Sequence, residues 1–162
     1  MDPQHIIDIC KANFEANKSA CNAFVEAVAT GLGVTLFSAN DLANTMVDKL
    51  RAAANWTKLA DGVAAKTQAD AGWLVIGGLK GNDQVPPVEH GHVVVVVSGP
   101  LDLAHNKYPT AYWGRLGGVG AENQTVNFAW NADCRDLVEY FGNSLDAPAP
   151  TSQGGVPPAP GV

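Results

Sequence analysis

A run of five valines at residues 93–97 limits the folds open to this chain more than any other feature. Adjacent side chains of a strand point to opposite faces, so a strand that is apolar at every position must be buried on both faces. The run begins after His92 and ends at Ser98-Gly99-Pro100, where glycine and proline stop a strand. The sequence therefore predicts a strand over 92–98 in the middle of a sheet.

The first half of the chain has the apolar spacing of helices. The second helix is expected to begin with Ser19 or Ala20 as its N-cap and to end at the stop signals Gly31 and Gly33. Its apolar residues recur at intervals of three and four and form one face. The predicted helices cover residues 6–14, residues 20–30, a third stretch from a cap at Ser38 or Asn40 to about Ala54, and a weakly amphipathic stretch at 61–71.

The second half changes to short apolar runs bounded by glycine and proline, which is the pattern of buried strands. The predicted strands cover residues 73–76, 92–98, 111–116, 125–130 and 137–141. Helices followed by strands predict an α+β domain, here over residues 1–146. Residues 147–162 are rich in proline and glycine, so they are expected to form a disordered tail.

The charge balance excludes several classes of partner. The chain has 16 acidic and 10 basic residues, a net charge of −6, and no basic cluster to neutralise phosphates. We therefore expect no nucleic-acid partner and no attraction to an anionic membrane. No apolar run is long enough to cross a bilayer, and the N-terminus lacks the pattern of a secretory signal. A role outside the cytosol would require another export route.

The cysteines provide the first candidate for chemistry. They are three in number, Cys10, Cys21 and Cys134, and none has the CxxC spacing of a zinc finger. Cys21 would lie in the first turn of the second helix, where free N–H groups stabilise a thiolate and its own N–H is a ready oxyanion donor. The alternative is structural, because Cys21 also continues the apolar face of its helix and free cysteine is commonly buried.

His92 is the natural partner of Cys21, since it opens the central strand and follows the cysteine in the chain as in papain-like enzymes. Its imidazole would take the thiol proton and later protonate the leaving amine. A thiolate and an imidazolium would also stabilise each other in their charged forms. Without such a partner, His92 would be a solvated residue at the end of a strand.

A metal site is the weaker alternative. His90 and His92 form an H-x-H pair that could contribute to a metal-dependent hydrolase, but only His5 and His105 remain as further histidine ligands. The expectation is therefore no metal and no cofactor. Cys10 and Cys134 are expected to be structural, and a disulfide between them is possible but has no support in the sequence.

Several separated segments resemble the first family of type VI secretion amidase effectors. The clearest is Ser19-Ala20-Cys21-Asn22, which is similar to the segment of that family that contains the nucleophile. The similarity extends over roughly residues 5–142, and the motifs occur in the same order with similar gaps. The further segments are 32–34, 44–48, 56–60, 74–76 with 78–81, 91–93 with 96–101, 107–109 and Gly114.

The resemblance implies an NlpC-like fold of the papain class, with N-terminal helices packed on a central antiparallel sheet. It implies a cell-wall peptidase that hydrolyses the bond between D-glutamate and meso-diaminopimelate in the peptidoglycan stem peptide. Such effectors leave the cell through the type VI secretion machinery and act in the periplasm of a recipient bacterium, which would explain the missing signal. A cognate immunity protein is also implied. Nothing in the sequence indicates an obligate oligomer, so a monomer is expected.

The resemblance also implies Cys21 as nucleophile and His92 as general base. Relatives have a cysteine-rich stretch where this chain has Ala111, Tyr112 and Trp113, and an indole cannot accept a hydrogen bond from the histidine. A backbone carbonyl there could orient the imidazole, and the third catalytic residue stays unknown. Substrate contacts are expected from loops 83–89, 114–121 and 38–44. The alternative function is a catalytically inactive wall-binding module on the same fold.

Overall fold

The computed structural model describes residues 1–145, in which helices pack against a six-stranded antiparallel sheet. The α+β class predicted from the sequence is confirmed. The sheet order is β1-β6-β2-β3-β4-β5. The helices are α1 Pro3–Asn17, α2 Cys21–Gly31, α3 Ala43–Ala52 and α4 Gly62–Asp70. The strands are β1 Thr57–Leu59, β2 Leu74–Leu79, β3 His92–Val96, β4 Thr110–Trp113, β5 Ala121–Thr125 and β6 Glu139–Asn143. The predicted tail at 147–162 and the domain boundary at 146 lie outside the described residues.

Local sequence explains where the helices begin. The side chain of Asp61 accepts the N–H of Ala64 and caps α4, so the weakly amphipathic helix is confirmed. Of the two predicted caps of α2, Ser19 is wrong and Ala20 is confirmed, although Ala20 forms no side-chain cap bond.

The predicted caps of α3 at Ser38 and Asn40 are also wrong. The carboxylate of Asp41 accepts the Ser38 N–H at 2.8 Å and holds a turn. The N-cap of α3 is therefore Leu42, and the helix ends at Ala52 rather than near Ala54.

The valine strand is central and covered on both faces, as predicted. Its neighbours are β2 and β4. Val93 and Val95 pack in one cluster with apolar side chains of α1, α2 and α3, and Val94 and Val96 pack in a second cluster on the opposite face. All four are fully buried. The sheet is therefore the middle layer of the described structure.

The glycines Gly77 and Gly78 do not end β2, contrary to the prediction. A Cβ at Gly77 would lie 3.0 Å from the Tyr140 ring, and one at Gly78 would lie 2.8 Å from the Val47 side chain. Neighbouring side chains therefore occupy the space above these glycines, and the strand continues through them to Leu79.

The later strands differ from the prediction in their bounds. The predicted strand at 125–130 is wrong, because β5 ends at Thr125 and Val126–Phe128 forms a 3-10 helix. β4 ends at Trp113 rather than at 116, and β6 begins two residues after the predicted start, at Glu139. β1 was not predicted.

The cysteines are free thiols, and all three are buried. Cys10 lies in the cluster on the helical face that includes Val93, and Cys134 lies in the cluster on the opposite face. The sheet therefore separates these two sulfurs. No helix within residues 1–145 combines the length and apolarity needed to span a bilayer.

Candidate active site groove

Cys21 and His92 line the same surface groove, which has a volume of about 570 Å³. They come from different layers of the fold, since Cys21 is the first residue of α2 and His92 is the first residue of β3. The structure thus brings together the two residues that the sequence paired. The remaining lining residues are Gln84, His90, Gly91, Arg115, Leu116, Phe128, Ala129, Trp130 and Asn131.

The start of α2 fixes the position of the thiol. Phe24, Val25 and Val28 are fully buried against the sheet, so the helix cannot rotate about its axis without exposing them. Cys21 continues this apolar face and is itself 5% exposed. Its side chain is therefore both part of the core, as the structural interpretation proposed, and part of the groove wall.

The sulfur of Cys21 lies against the edge of β3. The N–H of Val97 donates to the carbonyl of Thr110, and N–H groups of alternate residues in a strand point to the same side. The N–H of Val93 therefore points to this side as well, where β4 pairs with β3 at Val95 and Val96. There it lies close enough to the Cys21 thiol to act on the pKa of that thiol in the lowering direction.

His92 is positioned by packing. Its ring meets the Trp130 ring edge to face, with 5.0 Å between the ring centroids. No hydrogen bond joins the imidazole to another residue within the described part of the chain. The segment considered for a third catalytic residue, Ala111 to Trp113, is buried in β4, and the indole N–H of Trp113 is unpaired.

Burial sets the protonation states of the pair. It raises the pKa of the Cys21 thiol, and the N–H groups of Val93, Asn22 and Cys21 itself act in the opposite direction with less effect. Burial, together with the positive charge of Arg115, lowers the pKa of His92 to about 4. At neutral pH the pair is therefore a neutral thiol and a neutral imidazole, which differs from the expected thiolate and imidazolium.

The remaining walls come partly from the expected loops. Gln84 lies in loop 83–89, and Arg115 and Leu116 lie in loop 114–121, whereas loop 38–44 contributes no lining residue. Residues 128–131 also line the groove and were not predicted to do so. The available signal was the aromatic pair Phe128 and Trp130, which the sequence analysis assigned to a strand.

The ligands for a metal do not come together. His90 lines the groove with His92, but the Nδ1 atom of His105 is bound to the carboxylate of Asp102 at 2.8 Å, outside the groove lining. Within residues 1–145 no three histidine, cysteine or acidic side chains form a group able to hold a metal ion.

The fold and the groove define an α+β protein with a cysteine at a helix N-terminus beside a strand histidine, the order found in papain-like proteins. The chain is similar to peptidoglycan amidase Tse1 of Pseudomonas aeruginosa, with 40% identity over 152 residues that cover 88% of this chain and 91% of the relative. No family model matches the chain. This chain therefore belongs to the first family of type VI secretion amidase effectors, which its motifs resemble.

Proposed function

We propose that this protein is a peptidoglycan amidase that hydrolyses the D-glutamyl–meso-diaminopimelate bond of stem peptides with Cys21 and His92. The observation that carries the proposal is that Cys21 and His92 line one groove open to solvent, with the Cys21 thiol near the N–H of Val93, the residue after His92. Similarity to a relative named as a peptidoglycan amidase supports the substrate class.

The neutral resting pair favours general-base catalysis. The imidazole of His92 takes the thiol proton as the sulfur of Cys21 forms a bond to the carbonyl carbon. The imidazolium then returns this proton to the amine as the carbon–nitrogen bond breaks, which leaves a thioester on Cys21. Water adds to the thioester with His92 again as base, and the acid product leaves with the thiol restored.

The start of α2 supplies a site for the negative oxygen of the tetrahedral intermediate. Cys21 is the first helical residue, and the first N–H groups of a helix have no partner within the helix. We assign the Cys21 N–H as an oxyanion donor, because it lies beside the sulfur that attacks. This assignment follows the sequence-based prediction.

Family membership supports the biological role. We propose that the protein is an antibacterial toxin exported by the type VI secretion machinery and active in the periplasm of a recipient cell. A cognate immunity protein would protect the producing population. The proposed enzyme acts as a monomer and uses no cofactor, and its macromolecular substrate is the wall peptide.

Lysis of purified sacculi tests the proposal. Wild-type protein should lyse sacculi, and Cys21→Ser or treatment with iodoacetamide should abolish lysis. Cys134→Ala is the matched control, because Cys134 is a second buried free thiol, lies outside the groove lining, and should leave lysis intact. Lysis by Cys21→Ser would reject the nucleophile. Mass spectrometry of the released muropeptides identifies the bond that is cut.

A catalytically inactive wall-binding module is the second candidate. The observation that favours it is the His92 ring, which within residues 1–145 has no hydrogen-bonded group to orient it. Such a module would be retained by sacculi in a sedimentation assay without releasing muropeptides. Release of muropeptides by wild-type protein and not by Cys21→Ser would reject this candidate.

A further inference from the structure

Arg115 is a charged residue of the groove, and its guanidinium has no partner among the described residues. It is exposed and lines the groove together with Cys21 and His92. Its guanidinium forms no hydrogen bond and no ion pair within residues 1–145. Arg51 shows the contrast, because its guanidinium pairs with the carboxylates of Glu139 and Asp83. The cation of Arg115 is therefore available to a ligand.

The backbone of Arg115 is held against the start of the cysteine helix. Its N–H donates to the carbonyl of Lys18 at 3.0 Å, and the Gly120 N–H donates to the same carbonyl at 2.8 Å. A Cβ at Gly114 would lie 2.4 Å from the carbonyl oxygen of Asn17, so only glycine permits this approach. The free guanidinium thus extends from a fixed point near Cys21, which reduces the entropy lost when it binds.

The charges around the groove favour an anion. The chain has 16 acidic and 10 basic residues, yet no aspartate or glutamate lines the groove. The groove lining therefore provides no carboxylate for the amine of diaminopimelate. Arg115 already acts on the adjacent histidine, where its charge lowers the pKa. A planar guanidinium without a partner is the donor that suits a carboxylate.

We infer that Arg115 determines substrate specificity by binding a carboxylate of the stem peptide beside the amide that is cut. This inference rests on the proposed function. Two carboxylates of the stem peptide could bind Arg115. One is the α-carboxylate of the D-glutamyl residue, which stays free because that residue is linked through its side chain. The other is a carboxylate of diaminopimelate, on the leaving side of the bond.

Binding to a variant without the nucleophile tests the inference separately from hydrolysis. Calorimetry would measure the Kd of Cys21→Ala for three soluble stem peptides: the free acid, the peptide amidated at D-glutamate, and the peptide amidated at diaminopimelate. The same titrations would be repeated with two double variants, in which Arg115→Gln or Arg115→Lys is combined with Cys21→Ala. Lys11→Gln is the control, because it removes one exposed positive charge outside the groove lining.

Loss of a charge-assisted hydrogen bond predicts a Kd about 30-fold higher for the peptide whose contacted carboxylate is amidated. Arg115→Gln should raise the Kd for the free acid by a similar factor. The Kd for that amidated peptide and the Kd for the free acid should then be nearly equal. In Arg115→Lys the Kd ratio between the amidated peptide and the free acid should be smaller than in the parent protein but above one. In Lys11→Gln this ratio should be unchanged. The amide that loses affinity identifies the carboxylate.

Equal affinity of the Cys21→Ala protein for all three peptides would overturn the inference, as would equal weakening of all three by Arg115→Gln. Either result leaves the proposed function intact if the wild-type protein still cuts the peptides. Conversely, carboxylate-dependent binding without any cleavage by the wild-type protein would reject the proposed function and keep the role of Arg115.

Discussion

The thiol of Cys21 lies beside the backbone N–H of Val93, the residue that follows His92 in β3, and this N–H acts to lower the pKa of the thiol. One strand therefore sets the positions of both proposed catalytic groups. Since β3 is buried on both faces, its backbone cannot shift without disturbing two core clusters. The thiol and the imidazole thus lie beside the same buried strand.

His92→Ala should abolish turnover and keep the fold, because the proposed mechanism has no other base for the thiol proton. Muropeptide release should fall by at least about 100-fold, while circular dichroism should match that of the wild-type protein. His5→Ala is the control, since His5 is exposed on α1 and outside the groove lining. Turnover by His92→Ala close to that of the control would contradict the assignment.

The acid limb of kcat/KM should lie near pH 4, because the base must be neutral and the pKa of His92 is lowered to about 4. An exposed histidine would place this limb near pH 6.5. Arg115→Gln should move the acid limb to a higher pH, because the positive charge that lowers the pKa of His92 is lost. The limb should stay below pH 6.5, because burial has the larger effect on this pKa and remains. The other titratable groups lining the groove are Cys21 and His90.

The pH experiment measures cleavage of a soluble stem peptide between pH 3.5 and 8, with fluorescence at each pH to verify that the protein stays folded. A limb near 6.5 in the wild-type protein would show that His92 is not the base or is not buried during turnover. A limb that stays in place in Arg115→Gln would show that the guanidinium charge does not reach the imidazole.

Trp130→Leu should lower kcat about tenfold and change KM little, because the indole packs against the imidazole and orients it. Trp56→Leu is a matched control. Both indoles are 7% exposed with an unpaired buried N–H, and Trp56 lies outside the groove lining. Each change should lower the free energy of unfolding by about 2–4 kcal/mol, as measured by urea denaturation. An equal loss of kcat in both variants would indicate a purely structural role for Trp130.

Asp102→Asn should destabilise the protein by about 2 kcal/mol at pH 7. The buried carboxylate accepts the N–H groups of His105, Lys107 and Tyr108 at 2.8, 3.1 and 2.9 Å. Burial alone would raise its pKa, but these bonds together outweigh burial and hold the pKa well below its usual range.

The lowered pKa of Asp102 fixes the pH dependence of this effect. Its contribution to stability is full above the unfolded-state pKa of about 3.9 and is lost as the pH falls through the lower folded-state value. The difference between wild type and Asp102→Asn should therefore be constant from pH 5 to 8 and shrink below about pH 4. Urea denaturation across this range measures it, and a difference that grows on acidification would contradict the account.

The sequence predicted the elements whose apolar pattern matches their burial. The helices and β3 belong to this group, because their faces pack directly on the core. β1 and β5 could not be found in this way, since β1 has three residues and β5 is mostly exposed and polar. Their pairing is fixed by the neighbouring strands β6 and β4 rather than by their own composition.

At the candidate site, Cys21 and His92 could be predicted because their chemistry is rare and their elements have clear starting points. The sequence indicated the loop that contains Arg115 but not Arg115 itself, because loop residues have no periodicity to show their direction. Trp130 was missed because its segment was predicted to be a strand. The neutral protonation state of Cys21 and His92 also could not be predicted from the sequence. Burial raises the pKa of the Cys21 thiol more than the nearby N–H groups lower it. Half-buried His92 has its pKa lowered by desolvation and by the charge of Arg115.

The position of the Cys21 sulfur at the end of β3 has a consequence for solubility. Among the described residues, β4 pairs with β3 only at Val95 and Val96. The unpaired N–H and C=O groups of the remaining part of β3 could pair with another extended chain, and apolar strands with such open edges promote aggregation. The first turn of α2 covers this part of the strand. A change that detaches α2 would therefore expose a self-associating surface at the same time as it removes the thiol, so insoluble protein is the outcome to expect from it.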